Sequence, residues 1–140
     1  MSSSELQEVL FYKGRCFVDL KQYDTALVVF NQTIKSLIGL NQIISNYYVA
    51  YCLYQLNKLG DAEKEANKTI AAAGSNTYWV VKTYILLADL LIKQKDYFNA
   101  KATLQSVIKN ANFTDLKQEA QDKLLQVKVL ESKNTKLKID

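Results

Sequence analysis

Three stretches of this chain, LKQYDTALVVFNQTI (20–34), LNKLGDAEKEANKTI (56–70) and QKDYFNAKATLQSVI (94–108), put an alanine under an alanine and an isoleucine under an isoleucine. The anchors Ala26, Ala62 and Ala100 are 36 and 38 residues apart. Twelve positions before them stand Gly14, Ala50 and Ala88, small each time; four after come Phe30, Ala66 and Leu104, and eight after come Ile34, Ile70 and Ile108. A chain that repeats at this period consists of supersecondary units, none of which can bury its apolar face alone. Such units must stack on their neighbours.

Each unit reads as two helices. The first members are expected over about 5–20, 41–56 and 77–94 and the second over about 24–38, 60–73 and 97–110, giving units of 5–38, 41–73 and 77–110 within a single domain of 1–140. The absence of proline and the presence of only four glycines in 140 residues suit an all-helical protein. Asp24, Asp61 and Asp96 are placed to accept hydrogen bonds from free first-turn amides. The segments SLIGLN, AGSNT and NANFT carry the glycine, serine and asparagine that end one helix and begin the next. A seventh helix over about 114–131 has Leu116, Ala120, Leu124, Val127 and Leu130 on one side, as a cap on a repeat stack requires. The tail, 132–140, is expected to fray.

The small residues have a physical reason. At a close crossing of two antiparallel helices, a bulky side chain would push the axes beyond the usual ~8–10 Å. Larger residues fill the flanks: Leu10, Phe17, Leu20, Tyr23 and Phe30 in the first unit, Val49, Leu53, Leu56 and Leu59 in the second, Tyr84, Leu87, Leu91, Tyr97 and Leu104 in the third.

This order of residues, clearest in GRCFVDLKQYDTALVVF, resembles the tetratricopeptide repeat over about residues 5–110. The third unit also resembles repeats of large cell-envelope proteins of the Bacteroidetes. The resemblance implies a right-handed α-solenoid of three helix pairs plus a C-terminal capping helix, whose first helices line a concave ligand-binding side. The units exceed the family's usual repeat length and lack its closing proline, so longer connections between them are expected.

Composition narrows the function. With no histidine, no nucleophile or phosphate-loop motif and isolated glycines, neither catalysis, a metal nor a cofactor is expected. The net charge of +4 arises from interspersed lysines and acids, which argues against a nucleic-acid stripe, although stacking of single-stranded nucleic acid on tyrosines is a remote alternative. No apolar run reaches the ~18 residues that span a bilayer. The start, MSSSELQEVLFYKGR, lacks the features of a leader, and its immediate entry into a helix suggests a piece of a longer protein. The resemblance would put such a piece in the periplasm or envelope, and otherwise the cytoplasm is expected. Cys16 and Cys52 share one repeat position, too far apart for a disulfide, and are read as buried free thiols. Of the three sequons, at Asn31, Asn67 and Asn112, the first two fall inside second helices.

The candidate binding residues lie where the units differ. On the stripe beside the core, Tyr47, Tyr51 and Tyr54 follow at i, i+4 and i+7. The equivalent places hold Phe11, Arg15 and Val18 in the first unit and Ile85, Asp89 and Ile92 in the third. Tyrosine and arginine are the residues that most often carry binding energy. Phe11, Arg15, Tyr47, Tyr51, Tyr54, Lys82, Ile85 and Asp89 are therefore the expected face for a protein or peptide. The alternative packs the tyrosines against neighbouring helices and pairs Arg15 with Asp19 or Glu8. The family's chaperone carboxylate clamp is not expected: its places hold Phe11, Arg15, Tyr48, Lys82 and Leu86, and only Lys82 fits. The rival function is a spacer or oligomerisation segment docking through Leu6, Val9, Leu10 and Phe17.

Overall fold

The computed structural model describes residues 1–74 and 77–139. Among them are seven α-helices and no strand: α1 (Ser3–Asp19), α2 (Tyr23–Thr33), α3 (Gly39–Gln55), α4 (Leu59–Ala72), α5 (Thr77–Lys93), α6 (Tyr97–Asn110) and α7 (Thr114–Ile139). The fold is all-helical, as an α-solenoid of such pairs requires. Two compact units form, Met1–Trp79 and Val80–Asp140. In the first, α1 packs on α2 and α3 on α4, while α3 also meets α2 and α1. In the second, α6 packs on α7.

The repeat positions recur as burial. Gly14, Ala50 and Ala88, the three anchor alanines, and Phe30, Ala66 and Leu104 are all buried. Ile34, Ile70 and Ile108 are half-buried in every unit. Gly14 shows why the site must be small: a Cβ there would lie 2.8 Å from Cε1 and Cζ of Phe30. That is far inside van der Waals contact, so the Phe30 ring occupies the space an alanine methyl would need. Leu20 and Tyr84, expected to fill flanks of the core, are instead exposed.

The turn inside each pair is the same three times. Lys21, Asn57 and Lys95, five positions before the anchors, adopt left-handed φ values of 59°, 62° and 62°. After each, the next amide reaches back to the third-last helical carbonyl: Gln22 to Phe17, Lys58 to Leu53 and Asp96 to Leu91, all at 2.8–2.9 Å. The left-handed residues themselves donate to Val18, Tyr54 and Ile92. This is a Schellman closure, built without glycine. It places the N-cap of each second helix four residues before the anchor, at Gln22, Lys58 and Asp96. Only Asp96 makes the expected cap, accepting from the Asn99 amide at 3.3 Å. Asp24 and Asp61 stand inside the first turn, where they complement the dipole but cap nothing.

Between the first two pairs, a 3₁₀ turn, Ile34–Ser36, takes up residues of the longer repeat. Ser75 and Asn76 of the AGSNT segment, and Asp140 of the tail, lie outside the described residues. The cap helix does not stop near 131: α7 continues to Ile139. Residues 132–139 contain no glycine or proline and three lysines, so nothing in them breaks a helix once α7 is nucleated. Leu116, Ala120 and Val127 of α7 are buried as expected, whereas Leu130 is exposed.

Left-handed backbone costs a side-chain-bearing residue about 1–2 kcal/mol, part of which glycine returns through its own entropy cost of about 0.5–1 kcal/mol. Exchanging Lys95→Gly is therefore expected to raise stability by up to about 1 kcal/mol, read as a higher urea midpoint. A lower midpoint would contradict the left-handed closure.

Candidate protein-binding face

In the first unit the aromatic residues of α1, α2 and α3 form one cluster, which Tyr47 and Tyr48 of α3 join to Trp79 in the first turn of α5. The Phe30 ring that fills the space at Gly14 stacks on Tyr48, with centroids 5.7 Å apart and planes 5° from parallel. Phe11 meets Phe30 edge-on at 6.5 Å. Tyr47 and Tyr51 stack at 6.2 Å, and Trp79 lies 5.3 Å from Tyr47 and 6.2 Å from Tyr48. Tyr23 of α2 closes on Tyr51 at 5.9 Å. Burial, and after it the neighbouring Tyr23, push the Tyr51 phenol up to about 12.

Arg15 covers this cluster. Its guanidinium carbon is 5.5 Å from the centre of the Tyr48 ring and 5.9 Å from that of Phe11, within cation–π range of both. The expected pairing with Asp19 or Glu8 does not form; among the described residues no carboxylate pairs with Arg15. The guanidinium is held by ring faces, and no described residue accepts from its N–H edges.

The predicted residues divide accordingly. Phe11, 1% exposed, and Tyr47, 6% exposed, form the floor of the cluster. Arg15 and Tyr51 are half-buried above it. Tyr54 is half-buried on the same helix and engages other groups of the protein. Lys82, Ile85 and Asp89 belong to α5 in the second unit. Ile85 is 2% exposed, and Lys82 is half-buried with partners of its own. Asp89 accepts both of its hydrogen bonds from Lys123 Nζ of α7, at 2.9 and 3.0 Å. Burial holds the Asp89 carboxyl above the usual carboxylate range, with Lys123 opposing. Together with Lys101 and Glu131, 2.7 Å apart, this pair ties α7 down within the second unit.

Sequence reasoning gave Tyr48 no positive role and passed over Trp79. Trp79 is the chain's sole tryptophan and sits in the first turn of a first helix, a signal that could have found it. Tyr48 is adjacent to a core tyrosine, and only the Phe30 stack shows which way its ring faces. The cysteines also differ from expectation. Cys52 is buried, which pushes its thiol up to about 12, whereas Cys16 is exposed. The helix α3 packs on α2 and α1 as well as on its partner α4, and α1 has no such preceding layer among the described residues.

Comparison with protein families decides what the repeat is. The tetratricopeptide repeat model matches residues 8–36 and again residues 83–111. The chain carries tetratricopeptide repeats. The two matches coincide with the α1–α2 and α5–α6 pairs. Neither curated proteins nor solved structures gave a significant match. Tetratricopeptide repeats generally mediate protein–protein interaction and are typically non-enzymatic scaffolds. Among the described residues, no helix is long and apolar enough to cross a membrane.

Proposed function

We propose that this tetratricopeptide repeat chain is a scaffold that binds an extended peptide, or a segment of a partner protein, on the side carried by its first helices. The observation that supports this most is Arg15, the chain's only arginine, held over Phe11 and Tyr48 with no carboxylate paired to it among the described residues. A cation fixed on rings while its donors stay unused is arranged for something outside the chain. Tyr48, Tyr51 and Trp79, half-buried around it, supply rigid apolar area at little entropic cost. Phe11 and Tyr47 act from beneath, holding those rings in place. Within the second unit, Lys82 and Asp89 of α5 are that unit's own candidate contacts, with Ile85 buried on the same helix.

A random-peptide display selection tests this reading. Peptides enriched on the wild-type chain are expected to shift Trp79 emission and to lose at least about tenfold in affinity when Arg15→Ala and Tyr51→Ala are combined. Enriched peptides that bind the double variant as well as the wild type would remove the face from consideration.

A specific observation also supports the second reading, docking of α1 onto another repeat. Leu6, Val9 and Leu20 are 46%, 51% and 64% exposed, and Cys16 lies among them on the same side of α1. The repeat equivalents of Val9 and Cys16 are covered: Ser45 and Cys52 on α3, Thr83 and Leu90 on α5. Leu10 and Phe17 are half-buried. If this face joins two copies, sedimentation equilibrium will show a concentration-dependent dimer that Val9→Glu abolishes. A wild-type chain that stays monomeric at all accessible concentrations would count decisively against self-association.

A further inference from the structure

We infer that the aromatic cluster under Arg15 selects ligands by charge: it takes an acidic side chain of the bound peptide, flanked by apolar or aromatic residues. The inference rests on the peptide-binding reading and adds the chemistry of the ligand. Arg15 is not alone as an unused donor. Among the described residues, the Tyr48 hydroxyl has no hydrogen-bond partner either, and its ring lies 5.5 Å from the guanidinium carbon. Both donors are therefore carried by one rigid pair of groups, fixed from below by the parallel Phe30 ring. A carboxylate has the lone pairs to accept from the planar N–H edge and from the hydroxyl together, a geometry no neutral amide matches in charge.

The surroundings strengthen the attraction. Low-polarity rings on the inner side of the guanidinium, Phe11 and Tyr48, reduce screening there, so an anion meets more of the positive charge than at an open surface. The carboxylates that could compete are Glu8 and Asp19 on the same helix, the latter one turn away. Both are exposed and neither pairs with Arg15, so the cation is not neutralised in place. Beside the cation, Tyr51 and Trp79 give the residues that flank the acid apolar ring area to lie on. A ligand lacking the acid leaves a half-buried guanidinium uncompensated. A ligand lacking the flanking apolar groups has only a screened ion pair, which contributes little.

Two pentapeptides, acetylated at one end and amidated at the other, with a central glutamate or glutamine between phenylalanines, provide the test. Neither contains tryptophan, so Trp79 emission reports binding to the chain alone. The glutamate peptide is expected to bind about tenfold more tightly than its glutamine counterpart. Arg15→Gln should abolish that preference, and Arg15→Lys should keep part of it. Tyr48→Phe, which removes only the hydroxyl, should reduce it. Equal binding of both peptides would overturn the charge selection while leaving the binding face intact, and binding by neither would overturn both. A preference that survives Arg15→Gln would place the selecting charge elsewhere and contradict the inference. So would a preference that appears only when the peptide's terminal carboxyl is left free. Unchanged far-UV circular dichroism of the three variants confirms that each comparison is between folded chains.

Discussion

One contact organises the first unit: the ring of Phe30 against the bare Cα of Gly14. With no methyl at Gly14 the ring fits between α1 and α2, and a Cβ there would come within 2.8 Å of it. The other five positions of the same kind, Ala26, Ala50, Ala62, Ala88 and Ala100, are completely buried. Close crossing in each pair thus depends on residues whose merit is what they lack. The consequence reaches the surface. Phe30 is the ring on which Tyr48 stacks, and Tyr48 is the ring over which Arg15 lies. The residue that sets the helix spacing also sets, two contacts away, the orientation of the cation.

In this unit, stacking and surface chemistry thus fall to different positions. The positions that recur, at the anchors and twelve residues before them, are spent on stacking. The position held by Arg15, Tyr51 and Asp89 has three chemistries and three environments: an unpaired cation on rings, a phenol packed against Tyr23, and a carboxylate bound by Lys123. Only the first offers donors that nothing among the described residues uses. The second and third hold their own units together, so equivalence in the repeat does not carry equivalence of role.

The same distinction marks what could be read from the sequence. The small anchors and the helix pairs were legible because they depend on spacing, and spacing survives translation into a helix. Local hydrogen bonding was less legible. The three aspartates sit two, one and four residues before their anchors, whereas the N-cap always sits four before, so Asp96 alone caps. The left-handed residues were hidden for a related reason: lysine stands where glycine would have announced the turn. Cys16 and Cys52 share a repeat position but not a neighbour, because α3 packs on the preceding pair and no such layer lies on α1 among the described residues. The partner of Arg15 was the least legible, since two acids lie within helical reach and the guanidinium chose the rings. The location of Arg15 follows from the repeat register, and its orientation does not.

A double-mutant cycle in urea denaturation, with Gly14→Ala and Phe30→Leu made singly and together, tests the organising contact most directly. In an uncrowded helix, replacing glycine by alanine stabilises by about 1 kcal/mol. Here the clash with Phe30 is expected to reverse the sign, so that Gly14→Ala alone costs about 1–3 kcal/mol. With leucine at position 30 the same exchange should cost far less, leaving a coupling of at least about 1 kcal/mol between the two sites. Gly14→Ala that stabilises the wild-type chain, or costs the same with and without the Phe30 ring, would contradict the account.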